Sequence, residues 1–277
     1  TAAAAFAIER AAALGLATSA EAIAAVLDAA LPLAVTEDES AWSDDAVPAL
    51  LALRAAVVSP GALDPDRLRI AATSPNPLVR RAALHAGAEC GLAETLAVCR
   101  SGETAEALEV LGAIGSAADL PRFEAALRDD ALAHGAVAGL AALGSAEVLP
   151  LLIEAMRREA VADAAAAAFA AVTGFDPGTA ASSDEDDGDD EYAPSPDAEA
   201  AQLHVEAERE RYGRDASVRW CGGRPLPAAP ALPEAFDELS LAARHCLYVA
   251  ARMTDVSQPL RDLEARARRQ LGLGPLS

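Results

Sequence analysis

The feature that most limits what this chain can fold into is a pattern of glycine-terminated segments along residues 76 to 174. Gly91, Gly115, Gly144 and Gly174 follow one another at similar intervals. Each interval is long enough for two short helices and two turns. Neither helix can bury its apolar stripe alone, so such units must stack on their neighbours. The spacing therefore predicts a repeat of helical hairpins.

Residues 116 to 144 show how one unit is built. In SAADLPRFEAALRD, Ser116 is a polar cap, and Pro121 lies early in the first helix, where its missing N–H matters least. The following DALAHGAVAGLAALG predicts a helix of small residues that stops at Gly144. Because small side chains let helices approach closely, we expect these second helices to form the inner layer of the stack.

The composition agrees with an all-α fold. Hydrophobic residues make up 52% of the 277 residues, and aromatic residues only 4%. Alanine supplies much of the apolar fraction, and it has the highest helix propensity because it loses no side-chain entropy. The composition therefore predicts closely packed helices in preference to a sheet.

One segment links the repeat to a known class. NPLVRRAALHAG, which begins at Asn76, resembles the start of the second helix in short HEAT-like repeats. This resemblance implies an α-solenoid of short HEAT-like helical hairpins, with about five or six hairpins between residues 1 and 175.

Three regions are predicted: HEAT-like repeats over 1–176, an acidic flexible linker over 177–197, and a small helical C-terminal cap over 198–277. The linker contains seven acidic residues between Asp184 and Glu191. Their mutual repulsion and the lack of apolar neighbours favour a solvated segment. We expect the last region to cover the end of the stack, because a terminal repeat otherwise exposes an apolar face.

The C-terminal region predicts several local structures. AEAAQLHVEAERERYG indicates a helix, VRWCGGRPLP a turn-rich segment with one strand-like piece, and two further helices are expected over 232–253 and 260–272.

The charge of the chain limits its partners. Its formal net charge is −21, and every basic residue except histidine is arginine. Such a surface repels phosphate backbones and anionic lipid, so nucleic acid and membranes are not expected as partners, and a basic protein is favoured. Four scattered cysteines suggest reduced thiols and a cytoplasmic location.

No motif points to a reaction. The chain has no lysine for a Walker motif or a Schiff base, no GxSxG elbow and no paired cysteine spacing typical of metal. Aligning Gly188 with the EF-hand glycine puts Pro194 where the loop needs glutamate, so a calcium loop is excluded. We therefore expect a non-enzymatic protein without a cofactor or metal.

Six residues are candidate contacts for a protein partner. Five arginines recur near helix starts or turns, where they could form a ladder along one groove, and one tryptophan lies in the turn-rich segment. The alternative for the arginines, which we prefer, is pairing within the chain with Asp119, Asp129, Asp130 or Glu154, and the tryptophan is preferred as an anchor for the cap. The candidates are Arg80, Arg81, Arg122, Arg157, Arg158 and Trp220.

The order of segments resembles one bacterial family of HEAT-like repeat proteins, often encoded near type VI secretion components. The matching pieces are VRRAALHAG at 79–87, AFAAVTGFD at 168–176, the acidic stretch at 182–197, and an aromatic turn followed by GRPL at 220–226. The resemblance implies a protein-binding scaffold or adaptor whose partner is a secreted effector or a spike component.

Two alternatives stay open. An immunity protein that occludes a toxin would bind a single toxic domain tightly, in a one-to-one complex. Phycobilin lyases also use short HEAT-like repeats, so a chromophore-handling enzyme is the second alternative, and it predicts a bound pigment.

Overall fold

The computed structural model describes residues 2–13, 19–34, 46–57, 59, 61–179, 195–213 and 218–226. These residues are predominantly helical, with little sheet, which confirms the all-α class. None of the helices in these ranges is long and apolar enough to cross a membrane. The acidic run at 184–191 and the helices predicted over 232–253 and 260–272 lie outside the described residues.

The chain separates into two compact units, with the division between Gly102 and Glu103. Within the described residues, the first unit contains the helices α1 Ala2–Ala13, α2 Ala20–Ala30, α3 Val47–Ala56, α4 Pro65–Ala72, α5 Pro77–Glu89 and α6 Glu94–Ser101. Those of the second are α7 Ala105–Ile114, α8 Leu120–Leu127, α9 Asp130–Leu143, α10 Leu149–Met156, α11 Ala162–Thr173, α12 Ala198–Ala207 and α13 Arg209–Tyr212. The second unit also contains strands β1 Arg219–Cys221 and β2 Arg224–Leu226.

In the first unit, alternate helices form two layers. Helix α3 packs between α1 and α5, while α2 packs on α3, and α4 and α6 pack on α5. The core between the layers is aliphatic. Many of its residues are alanines, and a few larger aliphatic side chains fill the space that the alanines leave. Its fully buried members include Ile23, Leu27, Leu53 and Leu68.

Helix α5 begins and ends where the sequence predicts. Asn76 caps it, since its side-chain oxygen accepts hydrogen bonds from the backbone N–H groups of Leu78 and Val79 at 2.9 and 3.3 Å. Pro77 is its first residue. Gly91 follows the helix with a φ of 70°, the left-handed conformation that glycine adopts without strain.

One ion-pair network joins α2 to α4. The Arg67 guanidinium donates to both carboxylate oxygens of Asp28 at 2.8 Å, and to Asp64 at 2.6 Å. The hydrogen bond from Arg67 lowers the pKa of Asp28 below its ordinary value of 3.8. The Asp28 side chain is 57% exposed, so solvent screens the pair and its contribution to stability is small, about 0–1 kcal/mol.

We expect this pair to make the first unit slightly less stable in acid. Because the pKa of Asp28 is depressed by folding, the stabilisation is present above the pKa of the unfolded chain and is lost as the pH falls through the folded value. Replacing Asp28 with Asn should remove this part of the pH dependence. Denaturant unfolding at several pH values below 6 measures it; an unchanged pH profile in Asp28→Asn would contradict the assignment.

The second unit contains two copies of one helical hairpin, α8 with α9 and α10 with α11. A short 3₁₀ turn leads into α8, and an equivalent turn, one repeat later, leads into α10. Each first helix carries proline in its first turn, at Pro121 and Pro150. The second helices α9 and α11 end at Gly144 and Gly174, whose φ angles are 59° and 73°. The predicted order of helix, turn, helix and glycine is therefore confirmed for this pair.

Glycines bring α7 and α9 unusually close together. A Cβ atom on Gly112 would overlap the carbonyl of Gly139, and one on Gly139 would overlap the carbonyl oxygen of Leu108 and the ring of Phe123. At the other end of the contact, a Cβ on Gly135 would lie 2.5 Å from the Cα of Ala105. The two helices thus pack backbone against backbone, which only glycine permits at these positions.

The ends of the acidic segment meet on the second unit. Thr179 and Pro196 form an isolated β-bridge, and the Asp197 N–H donates to the Gly178 carbonyl at 3.1 Å. Asp197 then caps α12 by accepting from the N–H of Ala200. Helix α12 packs on α10, so residues 195–226 belong to the same compact unit as α7 to α11.

Candidate protein-binding surface

Helices α7, α9 and α11 form a parallel layer in the second unit. The glycine contacts pair the start of α7 with the first turns of α9 and the end of α7 with its later turns, so these helices run in the same direction. Arg158 just before α11 bonds to Asp130 at the start of α9, at 2.7 Å. The last turns of all three helices contact the hairpin formed by β1 and β2. One edge of the layer thus carries helix N-termini and the other carries C-termini.

The segment VRWCGGRPLP forms two strands, where the sequence predicts one strand-like piece. Strands β1 and β2 pair antiparallel, with Cys221 opposite Arg224 and Trp220 opposite Pro225. Gly222 and Gly223 connect them, with φ angles of 57° and 72°. Consecutive positive φ values are what a tight two-residue hairpin needs, and the Gly-Gly pair provides them.

Arg219 fastens the hairpin to the C-terminal edge of the layer. Its guanidinium donates to the carbonyl oxygens of Ala113 at 2.7 Å and Gly115 at 2.9 Å, both at the end of α7. A longer bond of 3.5 Å reaches the carbonyl of Ala142 in the last turn of α9. These carbonyls lie at the negative ends of helix dipoles, where a cation is stabilising.

Backbone bonds from the hairpin reach the other two helices. The Trp220 N–H donates to the carbonyl of Gly144, which follows α9, at 2.7 Å. The N–H groups of Gly222 and Gly223 donate to Ala171 and Val172 at the end of α11, at 2.7 and 3.0 Å. The hairpin therefore supplies donors to carbonyls that the helices cannot pair internally.

Trp220 lies inside the second unit, with 7% of its surface exposed. Its ring packs edge-on against Tyr212, with 5.0 Å between the centroids, and the Arg211 guanidinium lies 5.5 Å from its ring centre. Arg211 also donates to the Gly223 carbonyl. Burial raises the pKa of Tyr212 and that of the Cys221 thiol. A ring so little exposed offers a partner almost no surface, so we assign Trp220 to holding the hairpin in place.

A stack of rings continues from Tyr212 to the end of α11. The His204 imidazole of α12 lies flat on Phe175, with 4.3 Å between centroids and 7° between ring planes. The ring of Phe169 meets the edge of His204, and the His204 Nε2 atom lies 3.4 Å from the Tyr212 hydroxyl. These rings join α12 to α11, which gives His204 a packing role in this region.

Within the described residues, the layer of α9 and α11 is covered by helices on one side. Helix α8 packs on α9, and α10 packs on α11. On each of the two inner helices, exposed residues recur every three to four positions, as expected for one solvent-facing stripe. We call these residues the open face: Ala131, His134 and Ala138 of α9, and Asp163, Ala167 and Ala171 of α11.

The open face follows the repeat. His134 and Asp163 occupy equivalent positions in the two successive repeats, as do Ala138 and Ala167. Equivalent positions of stacked repeats face the same way, so the two stripes form one surface. Its side chains are small, apart from one histidine and one aspartate. Among these six residues, therefore, no large apolar side chain projects from the surface.

The predicted arginine contacts are divided between the two units. Arg80 and Arg81 lie on α5 in the first unit, where Arg80 donates to the carbonyls of Ser74 and Pro75.

In the second unit, Arg157 pairs with Glu154 at 2.6 Å and Arg158 with Asp130 at 2.7 Å. Both acidic partners are among those that the sequence suggests. Arg122 lies half-buried on α8. A role for these arginines in binding a partner stays a prediction.

Comparisons with known proteins give no relative for this chain. No family model, no curated protein and no solved structure matches it.

Proposed function

We propose that the repeating hairpins build an α-solenoid of the short HEAT-like type, which acts as a non-enzymatic scaffold or adaptor for a protein partner. The observation that supports this proposal most directly is the open face of α9 and α11. It is one surface made by equivalent positions of two repeats, with the layer behind it held by the hairpin. Repeat proteins bind partners on such extended surfaces, because each repeat adds area without forming a pocket.

The chemistry of the chain suggests which partner fits. With a net charge of −21, the chain attracts basic proteins and steers their approach. The edge beside the open face carries the exposed acidic residues Asp129, Asp130 and Glu159, of which Asp130 is paired with Arg158. We propose a basic protein as the partner. Following the family resemblance described above, that partner is a type VI effector or spike component, held in the cytoplasm before secretion.

A pair of arginine substitutions tests the surface. We expect Ala138→Arg and Ala167→Arg, each alone, to weaken partner binding at least tenfold, about 1.4 kcal/mol. Each variant puts a long cationic side chain where the repeat presents a methyl group, which blocks close approach and repels a basic partner. Helix stability should not change, because arginine and alanine have similar helix propensities.

Ala125→Arg is the matched control, since Ala125 is exposed on α8, away from the open face. The tagged full chain and its variants are used to recover partners from native cytosol, and the recovered protein is then purified and titrated. Equal affinity in all three variants would contradict the open-face assignment. Failure to recover any product of the neighbouring genes would contradict the secretion setting.

Two further assays, of partner release and of cell rescue, separate the adaptor from an immunity protein. An adaptor should release its partner to a further component, whereas an immunity protein should form a tight one-to-one complex with a toxic domain and rescue cells that express it. Rescue would replace the adaptor proposal, although the open face would still be the tested surface.

A further inference from the structure

We draw no further inference here: the strongest candidate, the outer face of α1 in the first unit, where Ala3, Ala4, Phe6 and Ala7 are exposed, is an unpartnered apolar helix face, and nothing in the structure shows what covers it.

Discussion

Replacing Gly112 with leucine should destabilise the second unit by about 3 kcal/mol or more, the upper end of what overpacking a core costs. Its Cβ atom would overlap the backbone carbonyl of Gly139. A backbone atom cannot rotate away as a side chain can, so α7 and α9 must separate. Separation also exposes the buried leucines that the two helices share. Amide hydrogen exchange along α7 and α9 in the full chain, together with denaturant unfolding, measures the loss.

Ala138→Leu is the matched control for this variant. Ala138 lies on α9 next to Gly139, but it is exposed on the open face. The added leucine therefore meets solvent, and stability should stay within about 0.5 kcal/mol of the parent protein. If the amides of α7 and α9 exchange as slowly in Gly112→Leu as in Ala138→Leu, the close backbone approach of α7 and α9 is wrong.

Replacing Arg219 with methionine should cost the second unit about 3 kcal/mol or more, because its two short bonds from a charged donor contribute about 1.5–3 kcal/mol each. The substitution keeps an unbranched side chain of similar length but removes the hydrogen bonds to the carbonyls of Ala113 and Gly115. The N–H groups of Trp220, Gly222 and Gly223 should then exchange faster, because the hairpin loses its strongest attachment. Denaturant unfolding and amide hydrogen exchange of the full chain measure both effects.

Two further variants distinguish the contact from a general charge effect. Arg219→Lys keeps the charge without the forked geometry, so we expect an intermediate loss. Arg224→Met removes a charge from the exposed residue opposite Cys221 on the same hairpin, and we expect a smaller effect. Equal losses in Arg219→Met and Arg224→Met would mean that the net charge of the hairpin, and not its bonds to the helix ends, stabilises the unit.

Much of the local structure could be predicted from short stretches of sequence. The cap at Asn76, the early proline at Pro121 and the stops at Gly144 and Gly174 all depend on residues within one or two turns. Helix propensity, capping and the conformational freedom of glycine act at this short range. The repeat in the second unit follows from these signals, because the same order of signals recurs from one hairpin to the next.

Other features left weaker signals. The Gly222–Gly223 pair indicates a hairpin turn, yet the strand after it contains Pro225 and only three residues, which obscured the second strand. The spacing of Gly135 and Gly139 on one face of α9 was available as a sign of close packing. His204 had no such sign, because Phe175 reaches it only after α12 packs on α10, and no local pattern of residues indicates that contact.

By itself, the sequence determined the helical class, the helix boundaries of the repeat and the glycine stops, since these depend on interactions between near neighbours. Only the tertiary structure decided which groups meet across long separations. Arg219 bonds to Ala113, which is 106 residues earlier in the chain. The open face also needs the packed layer, because exposure depends on which helix covers which. Contacts of this kind depend on packing and long-range hydrogen bonds, and no local pattern of residues encodes their partners.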